Sequence, residues 1–148
     1  MRGYVAPNAA RADLYIRLDR LVVDEPELRT RAAFATQPSE AAIAGTRENM
    51  LGKFNADQHP YAVISVDGMD SDASEPRLNA SITFNGVTRA MRIPAKIEKA
   101  VDQLTVTGRV ALAQTAFGIV PYSILGGGLQ VQDEVNVRFS IHARSILP

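Results

Sequence analysis

There is no cysteine in this chain. Disulfide staples and thiolate chemistry are therefore excluded, and the redox character of the compartment leaves no mark on the sequence. Nor is there an excess of charge of either sign: 16 basic and 16 acidic residues give a formal net charge of zero at pH 7. A balanced chain generates no long-range field that would draw it to nucleic acid or to an anionic membrane. No apolar run approaches the length of a helical membrane span, and Met1 to Ala10 lacks the apolar stretch of a secretory signal.

Catalytic signatures are missing as well. No G-x-S-x-G elbow occurs, and no grouping of Ser, His and Asp singles out a triad. Gly126, Gly127 and Gly128 match neither a G-x-G-x-x-G fingerprint nor a P-loop, and read as a flexible loop or a barrel rim. Two histidines stand far apart: His59 precedes Pro60 in an expected turn, and His142 falls on the polar positions of a strand. Neither has the neighbours of a metal motif. The acidic run Asp67, Asp70, Asp72 and Glu75 lacks EF-hand spacing and reads as a solvated connection. The expectation is a non-enzyme with no metal and no cofactor.

What the chain does have is alternation. From Leu104 to Leu112, Leu104, Val106, Val110 and Leu112 share one parity with Gly108, while Thr105, Thr107 and Arg109 lie between them. From Val135 to Ala143, Val135, Val137, Phe139, Ile141 and Ala143 alternate with Asn136, Arg138, Ser140 and His142. Side chains of an extended strand point to opposite faces in turn, so this period of two describes strands with one dry and one wet face. Antiparallel sheets are built from such strands.

The length of 148 residues suits one domain, residues 1–148, burying about 70% of the unfolded chain's surface. A first strand is expected at Asp13 to Leu18, running on toward Val23 and stopping near Pro26. Glu27 to Ala35 reads as a short helix or an irregular segment. Ser39 is a candidate N-cap for a helix in which Ile43, Met50 and Leu51 share a face with Arg47. Tyr61 to Val66 is a further strand, followed by a polar connection from Gly68 to Pro76. Arg77 to Phe84 and Thr88 to Ile97 flank Asn85-Gly86, the preferred pair of a type I′ hairpin. Pro94 inside the second of these predicts an edge strand or a bulge. Strands at Leu104 to Ala113, Phe117 to Leu125 and Val135 to Ile146 complete the reading.

Several segments, taken in order, carry a resemblance. They are Gly86-Val-Thr88 after the hairpin turn, Phe117-Gly-Ile119, and Asp133-Glu-Val135 leading into the last strand. Upstream lie Leu21-Val-Val-Asp-Glu-Pro26, Thr46-Arg-Glu-Asn-Met-Leu51 and His59-Pro-Tyr61. In this order and spacing the chain resembles the YceI-like family, lipocalin-like β-barrels associated with polyisoprenoids and other long apolar lipids. The likeness runs from about Arg2 to Ile146, although here Pro precedes Tyr in the turn where the family has the reverse. Family members carry further strands upstream, often with a Gly-His motif and a signal peptide, whereas Met1-Arg-Gly-Tyr-Val5 resembles the middle of the family domain. The resemblance therefore implies an all-β fold: an antiparallel lipocalin-like barrel, incomplete or partly open, with one or two short helices.

It also implies a function. Inward positions mix small residues, Ala80, Ala95, Gly108 and Ala143, with larger aliphatics, and an apolar chain entering such a space gains about 0.8 kcal/mol per buried methylene. From the pattern alone a core filled by its own side chains is the plainer reading; the resemblance favours a cavity. On that footing the expected interior is Leu14, Ile16, Met50, Phe54, Ile82, Phe84, Ile93, Val106, Phe117, Val137 and Phe139, with Arg47 as a head-group contact. The partner would be an apolar lipid such as a polyisoprenoid or an isoprenoid quinone, carried without catalysis, in the periplasm or cell envelope. The alternative is a β-sheet interaction module that self-associates, as a homodimer, through an unpaired edge.

Overall fold

An alternating strand is stable only when its apolar face is covered and its backbone groups are paired, and adjacent antiparallel strands in register satisfy both demands. The computed structural model describes residues 1–70 and 75–145. Its strands are β1 (Arg2–Ala6), β2 (Arg11–Arg17), β3 (Tyr61–Asp70), β4 (Arg77–Phe84), β5 (Val87–Lys99), β6 (Gln103–Ala113), β7 (Ser123–Ile124), β8 (Leu129–Gln130) and β9 (Glu134–Arg144). Seven of them form one sheet in the order β1-β2-β3-β4-β5-β6-β9, while β7 and β8 make a separate small hairpin. Every pairing is antiparallel. The large sheet curls into a half-barrel whose two edges, β1 and β9, are not joined to each other.

Two helices occupy the connection from β2 to β3: α1 (Pro26–Arg31) and α2 (Glu40–Lys53). Pro26 sits in the first turn of α1, where its missing N–H costs nothing. The loop around α1 is held by Arg29, which pairs with Asp24 at 2.6 Å, donates to the Thr36 carbonyl at 2.9 Å and lies over the Phe34 ring. Ser39 caps α2 as expected, its hydroxyl accepting from the Ala42 amide at 3.2 Å. Among the described residues no helix is long and apolar enough to cross a membrane.

The structure departs from the sequence reading at several places. An extra strand, β1, precedes the expected first one; it lacks alternation, and its place is set by pairing Arg2 to Ala6 against Tyr15 to Arg11. β2 ends at Arg17 rather than near Pro26, because a 3-10 turn over Leu18–Arg20 carries the chain off the sheet. Gly68 to Asp70 belong to β3 and not to the polar connection: a bulge after Val66 lets the strand continue. Asp72, in the acidic run, and Ile146, the expected end of the last strand, lie outside the described residues.

Pro94 marks neither an edge strand nor a bulge. β5 is interior; it pairs with β4 from Val87 to Pro94 and with β6 from Ala95 to Lys99. The proline, with no N–H to give, stands where β5 changes partners. Gly108 of β6 makes the approach there possible: a Cβ on it would lie 2.6 Å from the Pro94 carbonyl oxygen and 2.4 Å from the Phe139 ring.

The stretch Phe117 to Leu125 is not a strand apart from the two residues of β7. Gln114–Phe117 form a 3-10 turn that ends on Gly118 in the left-handed region, and it packs against both β5 and β6 where they splay apart. Phe117 and Ile119 are thereby driven into the main core with Ala80, Ile82 and Ile93.

Candidate functional site: an apolar trough

Register carries the inward face from strand to strand. Leu14 of β2 stands beside Ile64 of β3, which stands beside Ile82 of β4. Ile97 of β5 stands beside Val106 of β6, and Val106 beside Ile141 of β9. The bulge in β3 shifts the parity of its last residues, so Met69 takes the inner-face place opposite Leu78 that Gly68 would have in an unbroken register. The concave side of the half-barrel is consequently one apolar surface. It encloses a trough of about 670 Å³ that the chain's own side chains leave unfilled.

The eleven interior residues expected from sequence are gathered here. Leu14, Ile16, Ile82, Phe84, Ile93, Val106, Val137 and Phe139 line it from the sheet, Met50 and Phe54 from the end of α2, and Phe117 from the 3-10 turn. One end is walled by aromatic rings: Phe54 meets Phe84 edge-on at 4.8 Å between centroids, and Phe84 meets Phe117 at 5.9 Å. Asn85 fixes that end, its side-chain amide donating to the Phe117 carbonyl at 3.0 Å across the type I′ turn. The wall toward β9 is thinner, and Val135 and Val137 remain 42% and 36% exposed.

Arg47, expected as a head-group contact, stands apart. It does not line the trough; its guanidinium donates to the Asp19 carbonyl and ties α2 to the turn after β2. Three basic residues border the trough, Arg11, Lys99 and Arg138; Lys99 shares the inward parity of Ile97, whereas Arg11 and Arg138 stand on the outward parity of their strands. Arg11 begins β2 and Lys99 ends β5, which sets both at the end of the sheet opposite the aromatic wall. Sequence reasoning missed them, together with Ile64, Val66, Leu78, Ile97, Val110 and Leu112. The aliphatics share the parity of residues that were named, so alternation was the signal; nothing in sequence marks the two basic residues.

The rest of the polar inventory lies elsewhere. His142 is on the exposed face of β9, with Thr105 Oγ1 3.1 Å from Nδ1 and Ser140 Oγ 3.2 Å from Nε2. The His59 ring packs where a Cβ on Gly86 would be. Asp70 pairs with Arg92 at 2.6 Å. Among the described residues no three His, Cys, Asp or Glu side chains converge on a point that would hold a metal ion. Among the described residues three carboxyls have a lowered pKa: Asp19 through its hydrogen bond from Arg17, Glu98 through Lys96, and Asp133 through the Thr115 hydroxyl and amide. The trough offers an apolar surface for burial and contact.

The model of the YceI-like domain matches residues 20–143. The chain belongs to the YceI-like family. Solved structures agree with this in fold. BcnA of Burkholderia cenocepacia superposes with a TM-score of 0.68 at 16% identity, covering 96% of this chain and 81% of that one. The YceI protein of Campylobacter jejuni superposes with a TM-score of 0.62 at 14% identity, covering 97% and 79%. No relative was found among curated proteins. Thus the half-barrel is a YceI-like, lipocalin-like fold, and about a fifth of each of these neighbours has no counterpart in it.

Proposed function

We propose that this YceI-like protein binds a long apolar molecule in the trough and carries it without covalent chemistry. The observation that supports this is the trough itself: about 670 Å³ of unfilled space, within the range of small-molecule sites, lined by aliphatic and aromatic side chains from all seven strands of the sheet. Ten methylenes buried there would contribute about 8 kcal/mol, which taken alone corresponds to micromolar binding. Family membership supports a polyisoprenoid or an isoprenoid quinone as the ligand, and the periplasm or cell envelope as its place. The tail lies along the walls against the aromatic end, and Arg11 and Lys99 meet a polar head group at the other.

Extraction and mass spectrometry of protein purified from cells test this directly. A co-purifying isoprenoid, or saturable uptake of an isoprenoid quinone by the lipid-free protein, is the expected result. A lipid-free extract together with no uptake overturns it. Replacing both Arg11 and Lys99 by Gln is expected to weaken binding of a quinone while sparing that of a plain hydrocarbon of equal length.

A further inference from the structure

Of the asparagines in this chain only Asn85 precedes a glycine; Asn8, Asn49, Asn55, Asn79 and Asn136 precede Ala, Met, Ala, Ala and Val. The distinction is chemical. A backbone amide nitrogen attacks the side-chain carbonyl carbon of the asparagine before it most readily when no side chain shields that nitrogen, and glycine has none.

The fold brings a base to this step. Gly86 is exposed at the tip of the turn, outside the ladder that closes at Phe84 and Val87, and its N–H donates to no acceptor among the described residues. The His59 imidazole lies against the same residue, with Cε1 and Nε2 each 2.8 Å from where a Cβ on Gly86 would stand. So close a ring has the Gly86 amide proton within reach, directly or through one water. His59 is half-buried, and neither of its ring nitrogens has a hydrogen-bond partner among the described residues. The turn after α2 puts it there, its own backbone N–H donating to the Asn55 carbonyl at 2.9 Å. Imidazole is the side chain suited to taking a proton near pH 7. Asn85 in turn is coupled to the aromatic wall, because its side-chain amide holds the Phe117 carbonyl at 3.0 Å.

We propose that Asn85-Gly86 is a self-modification site: His59 takes the Gly86 amide proton, the chain deamidates at Asn85, and the new carboxylate releases the 3-10 turn that carries Phe117. In the first step Gly86 N bonds to Asn85 Cγ and the Cγ–Nδ2 bond breaks. Ammonia leaves with the proton that His59 had taken, which restores the imidazole and leaves a cyclic imide. In the second step water adds to either imide carbonyl. Opening at Cγ gives aspartate, opening at the Asn85 backbone carbonyl gives isoaspartate, and the net exchange is water in and ammonia out. Either product faces the Phe117 carbonyl with an acceptor where a donor had been, so attraction becomes repulsion. The aromatic end of the trough loses its clamp.

The test uses the intact chain, held at neutral pH and followed by peptide mapping with mass spectrometry, which reads the exchange of amide for hydroxyl at each asparagine. Asn85 is expected to react about tenfold or more faster than any other asparagine, and about tenfold slower in His59→Ala, a modest part of the about 100-fold that a positioned base contributes. Free imidazole is expected to restore the rate of His59→Ala, which a purely structural ring would not allow. His59→Gln, closer in volume, is expected to be slow as well. An Asn85 that reacts no faster than the other asparagines overturns the site. His59 variants that react at the native rate, or a His59→Ala that imidazole does not rescue, overturn the role of His59. Hydrogen exchange tests the consequence: Asn85→Asp is expected to exchange faster than the native chain at the Gly118 and Ile119 amides, which donate to Thr115 and Gln114 within the turn. Equal exchange overturns the release of Phe117.

Discussion

Phe117 is the largest fully buried side chain among the described residues, and Phe117→Ala measures how far the half-barrel depends on it. Its side chain is 1% exposed and is wedged where β5 and β6 separate. Truncating a buried Phe to Ala costs about 3–5 kcal/mol in lost transfer free energy and residual cavity. Loss of the edge-on contact with Phe84 adds about 0.5–1.5 kcal/mol. Only nine hydrophobic residues are buried among those described, so there is little surrounding core to collapse into the gap. The cost therefore falls at the upper end, about 4–5 kcal/mol, against a typical domain stability of about 5–15 kcal/mol. Urea titration read by far-UV circular dichroism gives the number, and Phe117→Leu, which keeps most of the volume, is expected to lose much less. A Phe117→Ala protein within about 1 kcal/mol of the native one, at unchanged m-value, would refute the claim that this turn plugs the sheet.

Gly108→Ala is expected to cost about 1–3 kcal/mol, because the new methyl would press on the Pro94 carbonyl and the Phe139 ring. Adding Phe139→Leu relieves only the ring contact, so denaturation of the double variant is expected to show partial rescue. Asn85→Ala removes the amide that holds the Phe117 carbonyl and places alanine at φ 49°; a loss of about 1–3 kcal/mol in thermal or chemical unfolding is expected. The Asp133 carboxylate accepts from the Thr115 amide at 2.8 Å and its hydroxyl at 2.6 Å, which lowers its pKa in the folded state. A lowered folded-state pKa contributes stability above the unfolded value, and that contribution is lost as pH falls through the folded one. Melting curves taken from pH 6 down to about pH 3 are accordingly expected to fall less steeply for Asp133→Asn than for the native chain; parallel curves would contradict it.

Much of this architecture was written in local pattern. Alternation from Leu104 to Leu112 and from Val135 to Ala143 became β6 and β9, because a period of two can bury its apolar side chains only as one face of a sheet. Asn85-Gly86 became the turn between β4 and β5, since both residues take positive φ. Ser39 became the cap of α2 for an equally local reason. The same alternation named the aliphatic lining of the trough, for parity along a strand fixes which side chains face inward.

What only the tertiary structure decided depends on residues distant in sequence. β1 exists through its pairing with β2, and Pro94 is tolerated because a change of partner falls at its position. Phe117 is buried because two strands splay around it. Arg47 turned to a carbonyl of another segment, while Arg11 and Lys99, brought to one end by the register of β2 to β5, took the trough's polar end. Periodicity constrains each strand separately. Whether the inner faces meet or leave room between them is set by how far the sheet curls, and curl belongs to all seven strands at once.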